Sequence, residues 1–376
     1  MEQKGHVIIS VTNDLVTDNR VAKVSDFLVS EGFLVTLVGR KLKNSQSISE
    51  RTYKTKRLIL LFTKGPLFYL EFNIRLFLYL LFQKTTLLIS NDLDTLMANY
   101  LASKCKSVKL VYDTHEYFTE VPELVENPTK QKIWQRLEKW IFPKLKNVYT
   151  VNESIAKIYS EKYGVPVHVV RNIAPIFECA EKKSRTDLGL PLDKFILIIQ
   201  GSGINRRRGA EEVVGAMNFI ENSLLLIIGS GDVLEELKLK VEVEKLREKV
   251  LFLPKMPYAE MMQYTMNADL GLAIDHIDIL NHKLALPNKF FDYIQAEIPI
   301  LATEIVEIEK MIDKYKIGYV LKEELTSNSL AQKINQIKDL YSSEINELKE
   351  NLKKTKSFEN WDNESLKLKK IYSNLN

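Results

Sequence analysis

Short apolar runs alternate with amphipathic stretches along this chain, and that alternation limits the fold more than any other feature. Val7–Val11 and Phe195–Ile199 are mostly β-branched or aliphatic, which predicts strands that are buried on both faces. Parallel strands joined by crossover helices produce such a pattern, so both halves should be doubly wound α/β domains. Further strands are predicted at Leu34–Val38, Leu87–Ile89, Lys109–Tyr112, Val148–Val151, His168–Val170, Leu224–Ile228, Val250–Leu253, Asp269–Ile274 and Ile298–Ala302.

The chain has 376 residues, which exceeds what one hydrophobic core usually holds, so two domains are expected. A polar stretch from Glu178 to Asp187 predicts the linker between them. We place a first domain at 1–175 and a second at 176–352. A final helix with an apolar stripe is expected at 353–376.

The charge balance is mild, with 53 Lys and Arg against 49 Asp and Glu and a formal net charge of +4. That balance gives no argument for a nucleic-acid partner. Two cysteines, Cys105 and Cys179, predict a reducing compartment without a disulfide framework. The first residues lack a signal-peptide layout, because a strand-like run already begins at Val7. We therefore expect a cytoplasmic protein.

The segment Leu284–Thr303 predicts a helix that starts near Pro287 and leads into a buried strand. Its start would present unpaired N–H groups and the positive end of a helix dipole, which together suit a phosphate. Lys289 adds a cation there, and Asp292 could accept hydrogen bonds from sugar hydroxyls. The alternative is an ordinary helix start with two surface charges.

Glycine and arginine follow the first strand of the second domain. Gly201-Ser202-Gly203 would let a ligand approach the backbone closely, and the three arginines at 206–208 could neutralise a diphosphate. A solvated basic turn is the alternative. A second glycine turn, Gly229-Ser230-Gly231, follows the next strand.

Polar residues also follow two predicted strands of the first domain. Ser90–Asp94 and Asp113–Tyr117 come directly after buried runs, and parallel strands bring their carboxyl ends to one edge, where α/β proteins bind ligands. His115 is the one histidine among them. A shared site is therefore predicted, although a lone histidine is more often structural.

Two segments combine apolar and basic residues. Lys54–Lys84 is rich in Leu, Phe and Tyr and is fringed by Lys54, Lys56, Arg57, Lys64 and Lys84, but its charged residues argue against a membrane-spanning helix. Lys130–Leu145 predicts an amphipathic helix with a basic face. Core packing is one interpretation of the first segment; peripheral contact with an anionic membrane, at the inner face of the plasma membrane, is compatible with it.

The segment LALPNKFFDYIQAEIPILAT resembles the nucleotide-sugar signature of GT-B glycosyltransferases of the retaining family-4 type. TNDLVTDNRVAKVSDFL and NDLDTL…VYDTHEYFTEVPEL are similar to segments of the same group. The chain departs from the pattern at several positions. Leu284 stands in place of the first of two glutamates and Asp292 in place of the second, while Glu297 replaces a common glycine. Ser202 stands where relatives usually have arginine.

The resemblance implies two Rossmann-like domains facing a cleft, with the last helix crossing back to the first domain. It implies that the helix start at Pro287 holds the donor diphosphate, that Asp292 binds the ribose and that His115 lies near the donor sugar. The implied catalytic residues are His115, Arg208 and Lys289. The donor-binding candidates are Gly201, Ser202, Gly203, Arg206, Arg207, Gly229, Gly231, Met256, Leu286, Pro287, Asn288 and Asp292. The acceptor-side candidates are Asn13, Asp14, Asn19, Arg20, Asn91, Asp92, Asp94, Glu116 and Tyr117.

The implied reaction is transfer of a sugar, with retention, from a UDP- or GDP-linked donor to a glycan or lipid-linked acceptor in bacterial surface polysaccharide synthesis. The resemblance implies no bound metal and no cofactor beyond the nucleotide-sugar substrate. Two alternatives remain. A nucleotide-sugar 2-epimerase shares the fold and donor chemistry, and a non-catalytic GT-B subunit would account for Leu284.

Overall fold

The computed structural model describes residues 4–16, 19–179 and 181–375, without the side chain of Asn19. The chain forms two compact units. The first contains the residues up to Asn172 together with those from Ser365 onward, and the second is Ile173–Glu364. The sequence placed these boundaries at 175/176 and 352/353.

The first unit is built on a seven-stranded parallel sheet with the strand order β3-β2-β1-β4-β5-β6-β7. Helices connect the strands, except that β3 follows β2 without one, and the expected doubly wound fold is confirmed for this half. The strands are β1 (His6–Ser10), β2 (Leu34–Lys41), β3 (Lys54–Ile59), β4 (Leu87–Asn91), β5 (Lys109–Thr114), β6 (Asn147–Thr150) and β7 (Val167–Val169). The helices are α1 (Asn19–Ser30), α2 (Gly65–Phe82), α3 (Leu93–Lys106), α4 (Pro122–Val125), α5 (Pro128–Ile141) and α6 (Glu153–Tyr163), with 3-10 turns at Phe118–Glu120 and Phe142–Lys144.

The segment from Lys54 to Lys84 begins with strand β3, which the sequence reasoning missed. β3 pairs in parallel with β2 at one edge of the sheet, and only Leu58 of its side chains is buried. Arg57 was expected in an exposed basic fringe, and that expectation is wrong. Its guanidinium donates to Asp14 at 3.0 Å and to the carbonyl of Gln46 at 2.8 Å.

The second unit has a six-stranded parallel sheet with the order β10-β9-β8-β11-β12-β13, so the second doubly wound domain is also confirmed. Its strands are β8 (Phe195–Gly201), β9 (Ser223–Gly229), β10 (Val250–Pro254), β11 (Leu270–Ala273), β12 (Ile300–Thr303) and β13 (Gly318–Leu321). Its helices are α7 (Ala210–Ala216), α8 (Leu234–Val243), α9 (Tyr258–Thr265), α10 (Leu280–Lys283), α11 (Asn288–Ala296), α12 (Val306–Tyr315) and α13 (Ser327–Phe358), with a 3-10 turn at Met217–Phe219.

The C-terminal segment returns to the first unit, as expected. After α13, helix α14 (Trp361–Ser373) carries the chain back. The hydroxyl of Tyr372 lies 3.4 Å from that of Tyr149, and Lys369 donates to Glu31 at 2.8 Å. Buried aromatic contact and an ion pair therefore anchor this end.

Candidate functional site

In each sheet the strand order reverses between two neighbouring strands, β1 and β4 in the first unit and β8 and β11 in the second. Connections that leave in opposite directions open a crevice at the carboxyl ends of such strands, where doubly wound folds bind ligands. The polar residues singled out from the sequence collect at both crevices. We call Arg208, Asp275 and Lys289 the Asp275 cluster, and Arg20, Asn91, Asp92, Asp113 and His115 the His115 cluster.

The Asp275 cluster holds two cations on one carboxylate. Asp275 follows β11 and is 1% exposed. Its Oδ2 accepts from Arg208 at 3.2 Å, and Lys289 Nζ lies 3.9 Å from Oδ1. The backbone of Asp275 is fixed by Thr303, whose hydroxyl accepts from its N–H and donates to its carbonyl. Two positive charges against one negative charge leave an excess cation.

Burial lowers the pKa of Lys289, and the charge of Arg208 adds to that effect while Asp275 opposes it. The side chain of Lys289 is only 14% exposed. A partly desolvated lysine beside an arginine gains from any anion that enters the crevice. The electrostatics of the Asp275 cluster therefore favour an anionic ligand.

Helix α11 adds its N-terminus to this cluster. Lys289 is its second residue, and Pro287, in extended conformation, precedes the helix. The first turn of a helix leaves N–H groups without intrahelical partners, and its dipole favours negative charge. The hydroxyl of Tyr293 donates to the carbonyls of Ile198 and Leu272, both at 3.2 Å, which fixes the helix against the sheet. The helix start is thus held rigidly at the crevice.

Asp292 lies on the same helix and is 8% exposed. Its carboxylate accepts from Gln200 at 3.1 Å and from the Tyr258 hydroxyl at 3.0 Å. Gln200 in turn accepts from the Thr265 hydroxyl at 2.5 Å. The carboxylate that the sequence assigned to a ribose is therefore oriented by two neighbours.

The four glycines of the two turns differ in what surrounds them. A Cβ added at Gly201 or Gly203 would meet nothing within 4 Å, so the backbone there is open to a ligand. A Cβ at Gly229 or Gly231 would lie 1.8 Å from the carbonyl oxygen of Gly201 or Ile204. Backbone packing therefore accounts for the second pair, which the sequence assigned to donor contact.

Two of the three consecutive arginines are engaged elsewhere. Arg206 pairs with Glu236 of α8 at 2.5 Å and is 65% exposed. Arg207 has a φ of +65° and forms an ion pair with Asp278. Of the three arginines, only Arg208 shares the Asp275 carboxylate with Lys289 in the described structure. The remaining donor candidates vary in exposure: Ser202 and Asn288 are exposed, while Met256, Leu286 and Pro287 are half-buried.

In the first unit, His115 lies between two carboxylates. Its Nδ1 is 3.1 Å from Asp92 Oδ2, and its Nε2 is 3.3 Å from Asp113 Oδ2. Asn91 Oδ1 lies 3.2 Å from the same Nε2. Burial and the Arg20 charge lower the pKa of His115, but Asp92 and Asp113 outweigh them and raise it to about 10. His115 is therefore an imidazolium at neutral pH.

Arg20 completes the His115 cluster. Its guanidinium donates to Asp113 at 2.6 Å, and the Asp113 side chain is fully buried. Burial raises the pKa of Asp113, but Arg20 and His115 outweigh that effect and hold it below its usual value. The cluster thus contains two cations and two carboxylates, and its charges balance.

Asp94 lies beside the cluster in the first turn of α3. The Thr12 hydroxyl donates to its Oδ2 at 2.6 Å, while its buried Oδ1 has no hydrogen-bond partner. Burial, assisted by the charge of Asp92, raises the pKa of Asp94 to about 7. This carboxyl therefore binds a proton near neutral pH.

The remaining acceptor-side candidates lie in different surroundings. Asp14 accepts from Arg57 and from Ser45, and Asn13 is exposed. Tyr117 is 7% exposed and packs edge-on against Tyr159 at 5.3 Å, whereas Glu116 is half-buried. The side chain of Asn19 lies outside the described part.

Sequence reasoning missed Asp275, Gln200 and Tyr258. Gln200 lies near the end of β8, and Asp275 directly follows the predicted strand 269–274. Applying to the second domain the same rule about polar strand ends that selected His115 would have found both. Tyr258 begins a helix and carries no such signal.

Among the residues that the structure describes, no group of three or more His, Cys, Asp and Glu side chains is placed to hold a metal ion. A reaction without a metal stays a prediction.

Three solved structures are similar to this chain over nearly its whole length. A glycosyltransferase from Rickettsia africae ESF-5 is 14% identical with a TM-score of 0.78, covering 100% of this chain and 99% of that chain. Anabaena Alr3699/HepE in complex with UDP-glucose is 14% identical with a TM-score of 0.73, covering 99% of both. WaaG, a glycosyltransferase involved in lipopolysaccharide biosynthesis, is 14% identical with a TM-score of 0.72, covering 97% of this chain and 98% of that chain.

These likenesses establish the GT-B fold. No curated protein sequence matches the chain. Two protein families do match it, and they occupy different halves. Residues 18–174 match Glycosyltransferase Family 4, and residues 180–356 match Glycosyl transferases group 1. Since the two matches together span nearly all of the sequence, the chain belongs to the GT-B glycosyltransferases of the family 4, group 1 type.

Proposed function

We propose that this glycosyltransferase moves a sugar, with retention, from a UDP- or GDP-linked donor to a glycan or lipid-linked acceptor in bacterial surface polysaccharide synthesis. The proposed place is the cytoplasm, at the inner face of the plasma membrane. The Asp275 cluster carries the proposal, because two cations and a helix N-terminus converge at one crevice. The UDP-glucose held by HepE and the lipopolysaccharide role of WaaG support the substrate classes.

Sugar transfer leaves negative charge on the departing diphosphate. Cations and N–H dipoles already aimed at that charge stabilise the transition state without reorganisation. Arg208 and Lys289 are held before any donor arrives, since both lie against the buried carboxylate of Asp275. A diphosphate would restore the pKa of Lys289 that burial lowers. The proposed chemistry is therefore leaving-group stabilisation by Arg208, Lys289 and the start of α11, without a metal.

The proposed role of His115 is to hold a positive charge near the donor sugar rather than to accept a proton. An imidazolium with a pKa of about 10 has no free lone pair at neutral pH, so His115 is a poor general base. The charge-balanced His115 cluster suits neutral sugar hydroxyls better than an anion. It is therefore assigned to the sugar side of the reaction.

A panel of UDP- and GDP-sugars tests the proposal by thermal shift and then by turnover on glycan and lipid-linked acceptors. We expect one donor to stabilise the protein and to release nucleoside diphosphate when an acceptor is added. Release of an epimerised nucleotide sugar would favour the 2-epimerase. Donor binding without hydrolysis or transfer would favour a non-catalytic subunit and contradict the proposal.

A further inference from the structure

Helix α2 has two apolar faces, and only one of them is covered. Phe68, Phe72, Leu76 and Leu80 are at most 4% exposed and pack on the sheet. The other face carries a row at the same helical spacing whose members are 49% to 53% exposed, namely Leu67, Leu70, Ile74 and Leu78. We call this row, with Leu61, Phe62 and Phe82, the apolar ridge. One apolar face of α2 is therefore buried against the sheet, and a second apolar face is in contact with solvent.

The loop at one end of the ridge is held in shape. Glu71 accepts from the N–H groups of Leu61 and Phe62 at 2.9 to 3.0 Å and pairs with Arg75 at 2.8 Å. Leu61 is nevertheless 80% exposed and Phe62 43% exposed. The Glu71 carboxylate thus fixes a loop whose apolar side chains are exposed to solvent. Glu71 is also the only acidic residue between 54 and 84, and its charge is neutralised.

Exposed basic residues lie on the segment that carries the ridge and on a neighbouring helix. Lys56, Lys64 and Lys84 lie on its own segment. The neighbouring helix α5 contacts α2 where the Trp134 ring meets Tyr69 at 5.1 Å. That helix exposes Lys130, Lys132, Arg136 and Lys139, with Ile133 59% and Trp140 46% exposed. Its acidic residue, Glu138, is buried and paired with Lys162.

Among the described residues, α2 alone is long and apolar enough to cross a membrane by length and composition. Crossing would pull the row from Phe68 to Leu80 out of the sheet, because those side chains form part of its core. A helix with one face packed and one face apolar can instead lie in the plane of a bilayer surface. The packing of α2 therefore favours lying over spanning.

We propose that the apolar ridge inserts into the surface of an anionic lipid bilayer, with α2 lying in the membrane plane and α5 supplying basic contacts to lipid headgroups. A second copy of the chain fits the ridge poorly, since a two-fold contact would bring the basic fringes of both copies together. An anionic surface complements the same fringe. The proposal deepens the membrane location given with the proposed function, but vesicle binding needs neither donor nor acceptor, so it can fail while the transferase reaction stands.

Vesicle flotation with the full chain tests the proposal without donor or acceptor. We expect binding to phosphatidylcholine vesicles that contain 30% phosphatidylglycerol, partial release at high salt and weaker binding to phosphatidylcholine alone. Ile74→Glu with Leu78→Glu should lower the affinity on the order of a hundredfold, because each side chain loses the transfer energy of a buried leucine-sized group. The matched control is Leu239→Glu with Val243→Glu on α8, at the same spacing and 67% and 81% exposed, which should bind like wild type.

A charge variant tests the role of α5. Lys132→Gln, Arg136→Gln and Lys139→Gln together should weaken binding on the order of a hundredfold at low salt, since each basic residue near an anionic surface strengthens binding roughly fivefold. Lys349→Gln, Lys353→Gln and Lys354→Gln on α13, also exposed, are the control and should have no effect.

Three outcomes would overturn the proposal. Wild type fails to float with anionic vesicles at low salt, or the Ile74 and Leu78 variant floats as well as its control. In the third, sedimentation without lipid shows that wild type is a dimer and that the Ile74 and Leu78 variant is a monomer. The ridge would then be the interface between two copies of the chain. Circular dichroism confirms that each variant remains folded, so lost binding is not lost structure.

Discussion

The two polar clusters occupy equivalent positions in two similar sheets, yet their electrostatics differ. The His115 cluster balances Arg20 and His115 against Asp92 and Asp113. The Asp275 cluster sets Arg208 and Lys289 against a single carboxylate. The same topology therefore prepares one crevice for neutral polar groups and the other for an anion. Fold determines where a ligand binds, and the local charge count determines which kind.

The largest effect should come from removing a cation of the Asp275 cluster. Lys289→Ala and Arg208→Ala should each lower kcat on the order of a hundredfold, or about 2.7 kcal/mol, the loss typical of removing one preorganised donor. Steady-state turnover with the identified donor measures it. Arg206→Ala is the matched control, because Arg206 pairs with Glu236 and should leave turnover within twofold. An equal loss in Arg206→Ala would erase the distinction between these arginines.

His115→Ala should lower kcat by roughly tenfold, less than the hundredfold or more that is typical of a general acid or base, because His115 is not assigned that role. Affinity for UDP or GDP should change little, because this histidine is assigned to the sugar side. Turnover and calorimetric titration with the bare nucleotide separate the two quantities. A tenfold loss of nucleotide affinity would contradict the assignment of His115 to the sugar.

Asp275→Asn should have a smaller effect of several-fold on kcat. The amide keeps the shape but removes the charge that holds Arg208 and Lys289, so the two cations repel and lose their position. Lys289 should respond in the pH profile, with activity lost at lower pH than in wild type, since Asp275 raises its pKa. An unchanged pH profile and unchanged turnover would remove Asp275 from the account.

The last prediction concerns the stability of the first unit rather than turnover, and how that stability depends on pH. The pKa of His115 is raised in the fold, so its contribution to stability is complete below pH 6.5 and is lost as the pH rises toward 10. The difference in unfolding free energy between wild type and His115→Gln should therefore shrink by about 3 to 4 kcal/mol from pH 6.5 to 9.5. Urea unfolding of both proteins measures it. A difference that grows with pH would mean that His115 is neutral in the fold.

The fold was predictable where local pattern and packing agree. Val7–Val11 and Phe195–Ile199 are apolar because both faces of a central parallel strand are buried, so periodicity alone locates them. Strand β3 was missed because it lies at an edge and buries only Leu58. Its first four residues, Lys54 to Arg57, are all polar or charged, so the segment carries too little apolar signal to separate it from a loop.

The candidate site was predictable in its position but less so in its partners. Strand ends and helix starts place Lys289 and His115 near crevices. What the sequence could not show is which ion pairs form across long separations. Arg57 pairs with Asp14 and Arg206 pairs with Glu236, so neither arginine is placed as the sequence predicted. Asp275 was overlooked because its role depends on residues 67 positions before it and on α11 after it.

Calorimetric titration of UDP, GDP and their nucleosides tests the charge difference between the clusters most directly. If the Asp275 cluster is an anion site, one diphosphate should bind wild type at least tenfold more tightly than its nucleoside, and high salt should reduce this difference in affinity. Lys289→Ala and Arg208→Ala should each abolish the difference in affinity, while His115→Ala should retain it. Equal affinity of wild type for nucleoside and diphosphate, or a difference that survives loss of both cations, would contradict the account.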